Sequence, residues 1–98
     1  MSKYRRSLLF TPGDSQRKIS KAAQIDVDSI ILDLEDSVTV SNKVDARRIV
    51  VEALRNTSFG RSERLVRINA PKTDLHADDL RETAVAQPDG YVVPKVEE

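Results

Sequence analysis

The feature that most limits what this chain can fold into is the run Ser29-Ile30-Ile31-Leu32-Asp33-Leu34-Glu35-Asp36-Ser37, which begins apolar and then turns acidic. From Ile30 to Leu32 no polar residue alternates with the apolar ones, and Ile30 and Ile31 are β-branched. A run of this kind reads as a strand buried on both faces, as in parallel sheets covered by helices. Acids at the C-terminal end of such a strand stand where an α/β protein places its chemistry.

The rest of the chain repeats this design. Arg6 to Phe10 predicts a first strand, followed by the turn Thr11-Pro12-Gly13-Asp14, in which Pro sets one φ and Gly is free to take a positive one. Asp14 or Ser15 stands at the cap of a helix running to about Ile25, with Ile19, Ala22 and Ala23 inward and Arg17, Lys18 and Lys21 outward. Thr39 holds the N-cap position of a second helix. Its apolar stripe is Ala46, Ile49, Val50, Ala53 and Leu54, and Lys43, Arg47, Arg48 and Glu52 are assigned to its wet face. Asn56 to Gly60 ends it.

Arg64 to Asn69 is a third strand with a polar end. Pro71 to Asp74 is a loop with Asp74 as a cap, and a third helix covers about His76 to Ala86 with Leu80, Ala84 and Leu75 inward. After the turn Pro88-Asp89-Gly90, Tyr91 to Lys95 is a fourth strand with Pro94 near its end, where no ladder donor is needed.

The predicted order is β-α-β-α-β-α-β. The fold class is α/β, and about four parallel strands with three helices make the N-terminal half of a (β/α)8 TIM barrel. On this reading residues 1–98 are one partial barrel domain of a longer chain. A complete four-stranded flavodoxin-like domain is the structural alternative, disfavoured because it would normally close with a helix over its last strand.

Composition narrows the function. Lysine plus arginine and aspartate plus glutamate are 16 each, so the formal charge is zero, which argues against nucleic acid as the main partner. There is no cysteine for a disulfide frame or a thiolate metal site. No apolar run is long enough to span a membrane, and Leu8 to Phe10 is too short for a signal-peptide core. The expectation is a soluble, cytoplasmic protein.

A parallel arrangement points the C-terminal strand ends at one face. There it collects Pro12-Gly13, then Asp33, Glu35 and Asp36, then Arg67 and Asn69, then Lys95 and Glu97. Arg67 is either a bidentate clamp for a carboxylate or phosphate, or the partner of Glu35 or Asp33, and spacing does not separate the two. Asp33, Glu35 and Asp36 could hold a hard cation through oxygen, but neutralisation by arginine is the commoner use of strand-end acids. Period-two alternation puts Asp33 and Glu35 on one side and Asp36 on the other, so the three are not expected to share one ion. Lys95 steers an anion or, more commonly, pairs with an acid. His76 is the only histidine and reads as solvated or capping. Thr11-Pro12-Gly13-Asp14 lacks the glycine pattern and Gly-Lys of a phosphate loop.

Four segments, in order, carry a resemblance. They are Arg6-Ser7-Leu8-Leu9-Phe10-Thr11-Pro12-Gly13; Leu32-Asp33-Leu34-Glu35-Asp36-Ser37-Val38 with Lys43 and Ala46-Arg47; Val66-Arg67-Ile68-Asn69; and Val93-Pro94-Lys95-Val96-Glu97. Together they resemble the citrate lyase beta-chain family, which includes malyl-CoA and citramalyl-CoA lyases. The resemblance implies an aldolase-type barrel that uses Mg2+ to cleave or form a carbon–carbon bond in a 3-hydroxy-acyl thioester, carried by CoA or an acyl carrier. It implies that Arg67 grips the substrate carboxylate and that Phe10 and Lys21 contact CoA, with Ser15 at a third position that is basic in the malyl-CoA lyase branch. It also implies that Glu35 and Asp36 organise the metal's water shell, and that the assembly is a trimer or hexamer.

Val40 stands where many relatives have proline. The family's direct metal ligands are a Glu and an Asp that fall beyond Glu98, so no metal ligand and no catalytic residue is assigned here, and 98 residues alone are expected to be inactive. Two other readings remain: a non-catalytic half-barrel that binds or assembles through its open edges, and a barrel relative performing thioester hydrolysis or malate-synthase-like condensation.

Overall fold

The computed structural model describes residues 7–94. In chain order these form β1 (Leu8–Pro12), α1 (Gln16–Ala22), β2 (Ser29–Asp33), a 3-10 turn at Val40–Asn42, α2 (Lys43–Asn56), β3 (Glu63–Arg67), α3 (Asp74–Ala84) and β4 (Gly90–Val92). All strand pairs are parallel and the spatial order is β1-β2-β3-β4. The α/β order of four parallel strands and three helices is therefore the one expected. Arg6, Lys95 and Glu97 lie outside the described residues, so the predicted start of the first strand and the end of the fourth do too.

β2 is the keystone. Every residue from Ser29 to Asp33 is buried. Ile30 and Leu32 join Val66 and Ile68 in one core with Ile19 of α1 and Ala46, Val50, Ala53 and Leu54 of α2. Sequential parallel strands need right-handed crossovers, which stack the helices on one face. The other face carries the rung Phe10–Ile31–Leu65 and, next along, Pro12–Asp33–Arg67–Val92.

Several expectations change. β1 runs through Pro12 instead of stopping at Phe10, because it is an edge strand and a missing N–H is tolerated there. Gly13 does not take a positive φ; among the described glycines only Gly60 does, at 61°. Gly13 is needed for close approach: a Cβ there would lie 2.7 Å from the Asp33 carbonyl oxygen and 2.9 Å from Val50 Cγ2. Ser15, rather than Asp14, caps α1, its hydroxyl accepting from Lys18 N–H at 3.2 Å. Thr73, rather than Asp74, stands at the N-cap of α3.

The largest corrections fall on helix faces. Lys43 and Arg47 are buried, not wet. They stand four apart and in line with Val50 and Leu54, on the same stripe as the apolar residues. On α3 the buried residues are Asp79 and Thr83, while Ala84 is exposed and Leu75 and Leu80 are half-buried. Buried charge on one helix meets buried charge on the other: Arg47 Nε donates to Asp79 Oδ1 at 3.1 Å. Among the described residues, no helix is long and apolar enough to cross a membrane.

Candidate functional site

Register builds the site. Asp33 and Arg67 are direct partners across the β2–β3 ladder, on the face opposite the helices. Arg67 Nε donates to Asp33 Oδ1 and Arg67 Nη2 to Asp33 Oδ2, each at 2.9 Å, a bidentate fork. The pairing that spacing left open is therefore made, and Asp33 is the partner. Glu35 Oε1 lies 3.6 Å from Nε and Asp36 Oδ2 lies 3.8 Å from Nη2.

Asp36 thus shares the Arg67 guanidinium with Asp33 and Glu35, contrary to the period-two expectation. The alternation fails because the strand ends at Asp33 and the chain turns. Asp33 itself makes that turn: Oδ1 accepts Glu35 N–H at 2.8 Å, and Oδ2 accepts Ser37 N–H at 3.0 Å and the Ser37 hydroxyl at 2.7 Å. Ser37 was not among the expected site residues, and the Asp-x-x-x-Ser spacing is the signal that could have found it. Burial pushes the Asp33 carboxyl up, but Arg67, Ser37 and the two backbone N–H groups outweigh it and hold the group well below the ordinary carboxylate range. Arg67 is correspondingly raised by its bonds to Asp33, against the opposing pull of burial.

With its Nε–Nη2 edge occupied, Arg67 keeps Nη1 without an acceptor among the described residues. The guanidinium carbon sits 4.8 Å from the centre of the half-exposed Phe10 ring, a cation–π contact. Phe10, Thr11, Pro12, Asp36 and Ser37 ring an open depression of about 420 Å³ around the Asp33–Arg67 pair. The arrangement is one fixed guanidinium with an edge free of acceptors among the described residues, an aromatic ring beside it, and three carboxylates around it.

The remaining expected residues lie elsewhere. Asn69 turns toward the helices, its Nδ2 donating to Asp79 Oδ2 at 2.6 Å and to the Leu34 carbonyl at 3.1 Å. Lys21 is on the exposed side of α1, with no bond from its ammonium among the described residues. His76 is half-buried with Nδ1 2.9 Å from the Asn69 carbonyl oxygen, which anchors the segment after β3. Among the described residues no group of three or more His, Cys, Asp or Glu side chains is placed to hold a metal ion.

The profile of one family, HpcH/HpaI aldolase/citrate lyase, matches residues 6–98. The chain belongs to this family. Within the HpcH/HpaI aldolase/citrate lyase family, it is 38% identical over 91 residues to a (3S)-malyl-CoA thioesterase of Cereibacter sphaeroides, covering 93% of this chain and 32% of that protein. It is 39% identical over 93 residues to the citrate lyase subunit beta of Leuconostoc mesenteroides subsp. cremoris, covering 95% and 31%.

The fold matches the crystal structure of CitE from Mycobacterium tuberculosis in complex with magnesium and acetate. The TM-score is 0.76 at 34% identity, over 94% of this chain and 37% of that one. A further CitE structure, with magnesium, acetoacetate and coenzyme A, matches with a TM-score of 0.71 at 33% identity, over 94% and 33%. The chain thus spans about a third of the length of the curated relatives it matches.

Proposed function

We propose that this chain supplies the first strands of a barrel enzyme that cleaves or forms a carbon–carbon bond in a 3-hydroxy-acyl thioester, with Arg67 as the grip for the substrate carboxylate. The observation that carries the reading is the open Nη1 edge of Arg67. Asp33 fixes the guanidinium through its opposite edge, so it meets a carboxylate already oriented. Glu35 and Asp36 stand close enough to hold that cation and to order water beside it. Phe10 offers an apolar surface at the rim for the thioester portion, and Lys21 a cation on the neighbouring helix for its phosphates.

Membership of the family and the magnesium and coenzyme A complexes of CitE support Mg2+ as cofactor and a CoA ester as substrate. Among the described residues no three His, Cys, Asp or Glu side chains cluster for a metal ion. In this reading the metal ligands, the general base and the acyl pocket lie on segments of a longer protein. Lewis-acid polarisation of the substrate belongs to those segments. What this chain does is bind the carboxylate and order the acids around it.

Thioester hydrolysis is the second reading, favoured by the likeness to a malyl-CoA thioesterase. One assay separates the two. The intact gene product is incubated with malyl-, citramalyl- and citryl-thioesters, with and without Mg2+. Carbon–carbon cleavage releases a 2-oxo acid and leaves the thioester bond whole, while hydrolysis releases a free thiol. A 2-oxo acid formed only with Mg2+ supports the lyase, free thiol alone supports the hydrolase, and neither product removes both.

A further inference from the structure

Lys43 is a buried cation that the proposed substrate grip does not use. It opens α2, is 7% exposed, and forms no ion pair among the described residues. The position is costly twice over. Burial strips the ammonium of water, and the start of a helix already carries partial positive charge. The ammonium's only hydrogen bonds among the described residues go to two consecutive backbone carbonyls, Leu34 at 2.9 Å and Glu35 at 2.8 Å.

Those carbonyls belong to the acidic turn. In a trans peptide the C=O and N–H point in opposite directions. The amide that offers Leu34 C=O to Lys43 therefore presents Glu35 N–H on its far side, where it donates to Asp33 Oδ1 at 2.8 Å. The same oxygen accepts Arg67 Nε at 2.9 Å. Lys43, the Leu34–Glu35 peptide, Asp33 and Arg67 thus form one continuous line of hydrogen bonds. An ammonium on the carbonyl polarises the amide and strengthens its N–H as a donor. Asn69 Nδ2 gives Leu34 O a second, neutral hold at 3.1 Å.

We propose that Lys43 is a positioning residue for Arg67, acting through the Leu34–Glu35 peptide to set the Asp33 carboxylate and thereby the angle of the open guanidinium edge. The functional half of this inference rests on the reading of Arg67 as the carboxylate grip; the relay itself does not. A neutral donor could tie the turn. The charge has a use here, because Asp33, Glu35 and Asp36 crowd negative charge into one turn, and an ammonium behind the backbone offsets it without entering the mouth or competing for the substrate.

The test is hydrogen exchange by NMR on the intact protein, following the Glu35 amide and the Arg67 Nε–H, with the Ile31 and Val66 amides as ladder controls. Lys43→Met keeps the stem and removes the donors. It is expected to speed exchange at Glu35 and Arg67 about tenfold relative to the controls, the factor a charge-assisted hydrogen bond is worth. Lys43→Gln, one atom shorter, is expected to fall between, and it carries the test by itself if the Met variant does not fold. Unchanged exchange at Glu35 and Arg67, or equal acceleration at all four sites, overturns the proposal and leaves Lys43 a plain stabiliser.

Malonate binding, titrated in parallel, is expected to weaken in both Lys43→Met and Arg67→Lys. If Arg67→Lys binds malonate as the wild type does, the grip reading fails, while the exchange ratios still decide the relay.

Discussion

Asp33 and Arg67 face each other across adjacent parallel strands and close a two-bond fork, and Asp33 is almost wholly buried, at 2% exposure, while Arg67 stays partly open. The same carboxylate also accepts three bonds from the turn that follows it. One side chain therefore ends a strand, shapes a turn and fixes a cation.

Acid should expose this. The Asp33 carboxyl titrates below its unfolded value of about 3.9. Between the two values the unfolded chain binds a proton that the folded chain does not, so stability falls as pH falls through that window. Above about pH 5 the contribution is fully present and flat. Urea unfolding from pH 2.5 to 6 is expected to show a steeper acid loss in the wild type than in Asp33→Asn. Asp26 and Asp89, also lowered by arginine partners, lie near the surface and add a smaller slope common to both proteins. Parallel curves would remove Asp33 as the main acid-sensitive group.

Arg67→Lys should preserve the fold and weaken the chemistry. A lysine ammonium can reach Asp33 or a substrate carboxylate, but it cannot hold one with each edge. If Arg67 is the proposed grip, kcat/KM of the intact gene product is expected to drop about a hundredfold, with most of the loss in KM if the grip is equal in ground and transition states. Wild-type kinetics in a folded Arg67→Lys protein would return Arg67 to a structural role.

The architecture was legible because its signals were local. An unbroken apolar run marked β2, and three-to-four spacing marked α2 and the inward residues of α1. The site was legible as a collection of strand ends, since parallel topology alone brings Asp33 and Arg67 to one edge. Asp36 was misplaced because side-chain bonds to the backbone, not strand alternation, set direction once β2 ends. Lys43 and Arg47 were misread because their charge was weighed over their position, although their spacing already put them in line with Val50 and Leu54. Their partners, two carbonyls of the turn before α2 and the distant Asp79, lie outside α2, and no helical pattern announces such partners. Gly13 was read as a turn glycine because close approach to the Asp33 carbonyl is a tertiary fact.

Gly13→Ala should be damaging although Gly13 has an ordinary φ. The added methyl would meet the Asp33 carbonyl oxygen at 2.7 Å, and Gly13 N–H already donates to that same oxygen at 2.8 Å. The Asp33 oxygen is backbone and cannot swing away, and Val50 Cγ2 at 2.9 Å closes the space beside it. A loss of about 2 kcal/mol is expected from overpacking, read as a lowered urea midpoint with an unchanged slope. Gly60→Ala, at positive φ with open space around it, should cost about 1 kcal/mol through backbone strain alone. Equal effects at the two positions would refute the close-approach account.

The Arg47–Asp79 pair supports the site from the helix side, and its cost is asymmetric. Asp79 Oδ2 accepts Asn69 N–H at 2.9 Å and Asn69 Nδ2, while Oδ1 takes Arg47 Nε. Arg47 Nη1 reaches Glu82 at 3.5 Å, but its buried Nη2 has no partner among the described residues. Removing Asp79 strands a buried guanidinium and two Asn69 donors, so Asp79→Leu is expected to cost about 3–5 kcal/mol. Arg47→Met leaves Asp79 still bonded to Asn69 and removes an imperfectly satisfied charge, so about 1–2 kcal/mol is expected. The double variant should be more stable than Asp79→Leu alone, because no unpaired cation remains. A double-mutant cycle by urea unfolding measures this directly. Simple additivity would mean that the two buried charges are energetically independent, despite their 3.1 Å contact.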